Sequence, residues 1–156
     1  MIEYASFWKN LTDAFIGQAV VYFFIVGSLF LLFWKWFEQR LINYRIQIKK
    51  RVDAKQLRFE IRQSVVVLFI GALNSTILSL LYSGGYTKLT TDATSIGWFG
   101  IVFTVIALLI LNDFWFYFWH RTLHHPKIFR YIHAVHHKSV DVNPFSSYSF
   151  HWIEGL

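Results

Sequence analysis

Residues Ala14 to Trp34 read AFIGQAVVYFFIVGSLFLLFW, a run without a single charged side chain. At ~1.5 Å of rise per residue, a helix of that length crosses the ~30 Å hydrocarbon core of a bilayer. Working outward, Ser64 to Tyr82 gives a second, weaker span. It carries Asn74, Ser75, Thr76 and Ser79, polar groups expected to face other helices rather than lipid. A third starts at Ile96, runs through IGWFGIVFTVIALLIL to Asn112 and Asp113, and continues as the aromatic-rich FWFYFWH toward the interface. The turn signal Ser83-Gly84-Gly85 closes the second span.

Composition agrees with this reading. The chain has 156 residues, 55% hydrophobic and 21% aromatic, with a mean hydropathy of +0.40. That is too apolar for an ordinary soluble domain and excludes disorder. The absence of cysteine excludes a disulfide scaffold, thiolate metal sites, iron–sulfur clusters and cysteine nucleophiles. A cleaved signal peptide is not expected, because the first apolar stretch is too long and its flanks lack the charged and small-residue pattern. The expectation is an all-α, multi-pass transmembrane helical bundle. Its spans lie at about 14–34, 64–82 and 96–112 within residues 1–112, and residues 113–156 carry a cytoplasmic His-rich helical metal site.

Charge orients the bundle. Between Lys35 and Arg62 lie nine basic and three acidic residues, which account for the whole net charge of +6. By the positive-inside rule this loop, residues 35–62, is cytoplasmic and the N-terminus lies outside. Three spans then return the chain to the cytoplasm. Attraction to anionic headgroups explains the basic loop better than a nucleic-acid partner does. Within it, Phe37, Leu41, Tyr44, Ile48 and Val52 recur at helical spacing, so an amphipathic helix against the headgroups, or a cytoplasmic extension of the first span, is expected.

All seven histidines fall between residues 120 and 151. His120 and His124 are four apart and share a helical face. His133, His136 and His137 have offsets of three and four, which on a helix again puts them on one face. Pro126 between the two groups should end the first helix and let the sets converge. Converging neutral imidazoles make a metal site. No His-Glu-x-x-His motif and no Glu-x-x-His pair is present. Iron, zinc, copper and nickel remain open on residue type alone. A site where acyl chains and sterols meet the cytoplasm fits oxygen chemistry on hydrocarbon, the usual province of non-haem iron.

The run from Asp113 to Leu156, DFWFYFWHRTLHHPKIFRYIHAVHHKSVDVNPFSSYSFHWIEGL, resembles the fatty acid hydroxylase and sterol desaturase superfamily. A His-Arg-x-x-His box is matched by His120-Arg121-Thr122-Leu123-His124, and a His-x-x-His-His box by His133-Ala134-Val135-His136-His137. Asn143-Pro144-Phe145-Ser146 and His151-x-x-Glu154 are similar to the stretch that follows in the sterol C-5 desaturase branch. The resemblance implies an integral-membrane enzyme in which imidazoles hold two irons on the cytoplasmic side. With O2 as co-substrate and electrons from a cytochrome- or ferredoxin-type donor, such an enzyme hydroxylates or desaturates a lipid in the bilayer. Two departures stand out: Trp152 follows His151 where the family usually has proline, and the family's third His box lies beyond Leu156. The chain is therefore expected to be a C-terminally truncated member whose di-iron site is completed by residues outside it.

The resulting candidate metal ligands are His120, His124, His133, His136, His137 and His151. His125, about 100° from His124 on a helix, divides evenly between ligand and bystander. Asp113, seven residues before His120 on nearly the same face, is the expected outer partner that orients a ligand. Trp115 to Trp119 read as an aromatic belt and Arg121 as an interfacial anchor. Glu154 is open between a ligand histidine and an arginine. Rival readings are a membrane metal-binding or transport protein and a carotenoid or alkane oxygenase. The bacterial inner membrane and the endoplasmic reticulum fit the sequence equally.

Overall fold

Three long helices emerge from the three apolar runs, each longer than the run that announced it. The computed structural model describes residues 4–44, 52–87 and 96–156, and no strand occurs among them. The first helix, α1, is Tyr4–Phe30 and continues into a π-helical turn, Leu31–Trp36, closed by the Phe37 amide on the Leu32 carbonyl at 2.9 Å. A short helix α2, Glu38–Leu41, and a 3-10 turn, Ile42–Tyr44, follow. Ile48 of the expected amphipathic helix lies outside the described residues, and Val52 packs against the core.

Helix α3, Ala54–Ser83, begins ten residues before the expected second span because Asp53 caps it, accepting a hydrogen bond from the Gln56 amide at 2.6 Å. Lys55, Arg58 and Arg62 therefore stand on its first turns rather than in a connection. Its far end closes as the glycine turn predicts. Tyr86 N–H bonds the Leu81 carbonyl and Gly85 N–H that of Tyr82, with Gly85 at φ 74°, a Schellman arrangement that glycine adopts without a Cβ penalty.

Helices α1 and α3 pack antiparallel through facing stripes at four-residue spacing. On α3 the buried positions are Glu60, Ser64, Leu68, Ala72 and Thr76; on α1, Leu11, Tyr22, Val26 and Phe30. Small side chains let helix backbones approach where lipid supplies no hydrophobic drive. Polar groups then find partners across the seam: Tyr22 Oη donates to Ser64 Oγ at 2.8 Å and Gln18 Nε2 to Ser75 Oγ at 3.1 Å. Gly71 leaves room for Gln18, whose Oε1 would lie 3.0 Å from a Cβ placed there. Of the four polar residues expected to face inward, Thr76 is buried, Ser75 receives Gln18, Asn74 donates to the Gly155 carbonyl at 3.4 Å, and Ser79 is exposed.

Helix α4, Gly97–Leu123, runs unbroken through Asn112 and Asp113. It ends at Leu123, just before Pro126, and His125 then caps a short helix α5, Pro126–Phe129, with Pro126 in its first turn. The remaining chain forms three 3-10 turns: His133–Lys138, Pro144–Tyr148 and Trp152–Gly155. The middle one plugs the hairpin. Phe145 is buried against Phe30, with ring centroids 5.3 Å apart, and its carbonyl accepts from Tyr22 Oη at 3.4 Å. Beside it, the buried Glu60 carboxylate accepts from Asn143 Nδ2 at 2.7 Å and Gln56 Nε2 at 2.8 Å. The Lys138 ammonium sits over the Phe59 ring. The His-bearing segment is thereby tied to the end of the hairpin that carries Phe30 and Glu60.

Candidate metal centre

Two elements bring the imidazoles together: the last turns of α4 and the 3-10 turn His133–Lys138. His120 and His124, one turn apart on α4, converge until their Nε2 atoms are 3.2 Å apart. Two nitrogens each ~2.1 Å from one ion are separated by ~3.0 Å at an octahedral angle and ~3.4 Å at a tetrahedral one, so this spacing suits chelation. His133 completes a trio whose ligand atoms all lie within 4.8 Å of one another.

His133 is 1% exposed, and its Nδ1 lies 2.7 Å from Glu154 Oε2. A carboxylate oxygen accepts, so Nδ1 is the donating nitrogen, and in the neutral ring that leaves the lone pair on Nε2. That Nε2 is buried and has no hydrogen-bond partner among the described residues. A buried nitrogen without a partner is costly unless something else takes the lone pair. A metal ion is the natural occupant, and the carboxylate–imidazole pair is the arrangement that orients ligating histidines. Glu154 is itself held, since its Oε1 accepts from the His151 amide at 3.3 Å.

His137 and His136 flank the trio. The His137 ring centroid is 4.9 Å from that of His133 and 5.4 Å from that of His124. His136 is 5.7 Å from His133, lies flat on Phe150 at 4.6 Å, and has a buried, unpartnered Nδ1. Burial, and then the neighbouring imidazoles His133, His136, His124 and His120, push the His137 pKa below its usual value. A neutral ring is the ligating form. Phe116 stacks on His120 at 5.4 Å and Phe129 on His124 at 5.5 Å, so three phenylalanines wall the cluster.

The remaining candidates are placed elsewhere. The second His group occupies a 3-10 turn rather than an α-helix, and its three rings still gather, with centroids 5.7 Å (His133 to His136), 4.9 Å (His133 to His137) and 5.8 Å (His136 to His137) apart. His151 Nδ1 accepts from the Ile153 amide at 3.3 Å and its ring lies beside Trp152. His125 Nδ1 accepts from the Lys127 amide at 3.3 Å, turned to cap α5. Asp113 is exposed, one of a series of outward positions on α4. The carboxylate that orients a histidine is Glu154, which the sequence leaves undecided because the contact spans 21 residues. Arg121 donates to Tyr117 Oη at 2.9 Å.

Comparison with known proteins places residues 105–156 in the fatty acid hydroxylase family. The chain is 30% identical over 145 residues to the Delta(7)-sterol 5(6)-desaturase of Gibberella zeae, covering 93% of this chain and 42% of that protein. It is 31% identical over 143 residues to the lathosterol oxidase of Homo sapiens, covering 90% and 45%. The Delta(7)-sterol 5(6)-desaturase of Candida albicans is 28% identical over 136 residues, covering 86% and 33%. The chain spans less than half the length of these relatives. No solved structure matches it.

Proposed function

The chain belongs to the fatty acid hydroxylase and sterol desaturase superfamily, and from that premise we propose that it acts in a membrane-bound, oxygen-dependent oxidoreductase that hydroxylates or desaturates a sterol or fatty acyl lipid. The observation that carries this reading is the trio His120, His124 and His133 with the buried, unpartnered His133 Nε2. Iron held there, in a two-iron centre, supplies activation of O2 for attack on an unactivated C–H bond.

The chain's own residues supply the rest. His120 and His124 offer one pair of nitrogens from α4, and His133 offers a third whose tautomer Glu154 fixes. His136 and His137 extend the donor set beside His133. Phe116, Phe129 and Phe150 exclude water from the imidazoles and keep the surroundings apolar, which suits a hydrocarbon substrate. The three helices of membrane-spanning length anchor the centre at the bilayer surface. The basic residues near the His end favour a cytoplasmic orientation, with the N-terminus outside, where a cytochrome- or ferredoxin-type donor can reach it. The sterol desaturases and lathosterol oxidase among the relatives favour a sterol over an acyl substrate.

The test uses the full-length protein with a reducing donor and O2. His136→Ala is expected to abolish iron retention and lipid turnover together. Turnover that survives the substitution overturns the reading.

A further inference from the structure

We propose that the cavity at the π-helical turn, where α1 gives way to α2, binds the choline headgroup of a phosphatidylcholine molecule of the surrounding bilayer. Phe33, Trp34, Glu38, Leu41 and Tyr44 line it, and its volume is about 240 Å³. That is below the ~300–1,000 Å³ that houses a drug-sized ligand, so it takes a headgroup and not a whole lipid. The sequence sets its depth. The uncharged run of α1 ends at Trp34 and the charged Lys35, Glu38 and Arg40 follow at once. For a helix of spanning length, that is the level of the lipid headgroups. No residue of the His cluster lines the cavity, so the site stands apart from the metal centre.

The lining chemistry selects the occupant. A quaternary ammonium has no N–H to donate, so it is held by aromatic faces, indole above all, and by a nearby negative charge. Phe33, Trp34 and Tyr44 bring the rings and Glu38 the carboxylate. Ethanolamine would bring three N–H donors into a space whose side-chain acceptors are that carboxylate and the Tyr44 hydroxyl, and donors buried without partners are costly. Phosphatidylglycerol has no cation to set against Glu38. The other half of a choline headgroup is a phosphate, and the turn has donors for it. Phe30 stacks on the Trp34 ring at 6.3 Å. The Trp34 indole N–H is buried and has no hydrogen-bond partner among the described residues. A phosphate oxygen seated in the cavity would relieve that cost. Lys35 and Arg40, exposed on the same turns, supply cations beside it. An ordinary aromatic belt accounts for Trp36, which is 81% exposed, but not for the buried N–H of Trp34. The π-helical turn itself is a rare geometry that occurs mostly at functional sites.

The test reconstitutes the full-length protein in vesicles of phosphatidylcholine, phosphatidylethanolamine and phosphatidylglycerol, in equal amounts and with identical acyl chains. The protein is then extracted in mild detergent and the co-purifying lipids are quantified by mass spectrometry. Phosphatidylcholine is expected to be enriched about tenfold over each of the others. Tyr44→Ala, which removes a ring face, and Glu38→Gln, which removes the charge, are each expected to lower that ratio about threefold. Trp36→Ala, beside the cavity but not lining it, should leave the ratio unchanged. Enrichment of phosphatidylglycerol would mean that the basic residues simply gather anionic lipid, and it overturns the proposal. Equal retention of the three lipids, or an equal loss in all three variants, overturns it too. A phosphatidylcholine with a diazirine at the start of an acyl chain places the lipid even if a variant fails to fold. Label on residues 33–44, displaced by unmodified phosphatidylcholine and not by phosphatidylethanolamine, supports the site, and label mapped elsewhere removes it.

Discussion

The α1–α3 hairpin and α4 are made of similarly apolar sequence, yet they stand in opposite situations. The hairpin buries a stripe on each helix and exchanges hydrogen bonds across it. In α4, no residue of the most apolar window is buried, and Leu123 at its very end is the one buried position of the helix. Apolarity is thus a statement about solvent, not about packing: lipid accepts a leucine on any face, so only small and polar side chains at regular spacing mark where helices meet. The hairpin is a scaffold held by its own contacts. Helix α4 is held to the rest of the described chain mainly at its His-bearing end, by the imidazoles themselves and the segment that follows them.

That contrast can be broken at several points. The largest effect should come from Leu68→Ala in the hairpin, which removes packing from a 4% exposed position and should cost about 2–5 kcal/mol. Leu109→Ala on α4, at a position 60% exposed, should change stability by no more than about 0.5 kcal/mol. Denaturant unfolding in detergent measures both, and equal costs would mean that α4 packs as the hairpin does.

A smaller effect is expected where the two regions meet. Glu154→Gln leaves the fold in place but weakens the carboxylate that fixes the His133 tautomer, and iron affinity should fall by about 10–100-fold. Competition with a chelator gives the number, and an unchanged affinity would reduce Glu154 to a cap of the final turn.

Acidification should act most gently. Because His137 titrates below its usual value in the folded chain, its neutral form is favoured at pH 7, and that preference is lost as pH falls through the depressed value. Iron retention is expected to be level at neutral pH and to decline below the ordinary imidazole range. A decline that begins on the alkaline side would point to a different group.

The features legible in the sequence were those with a local physical cause. Uninterrupted apolar runs mark three helices of spanning length, the Ser83-Gly84-Gly85 signal marks the turn, and each of the two His boxes contributes to the trio His120, His124 and His133 that the fold groups. What stayed hidden depends on contacts between distant segments. Glu60 reads as one acid in a basic stretch, yet it is fully buried and grips Asn143, 83 residues away. The Glu154–His133 pair is likewise long-range, while Asp113, favoured by helical spacing from His120, faces outward. The His133–His137 box forms a 3-10 turn where an α-helix is expected, because spacings of three and four fit both.

The most direct test of the central claim is iron content per chain combined with X-ray absorption at the iron edge, on purified full-length protein and its His124→Ala variant. Iron ligated chiefly by imidazole nitrogen at ~2.1 Å, and lost in the variant, is the predicted result. Iron retained with the same ligand shell after His124→Ala, or zinc in its place, would contradict it.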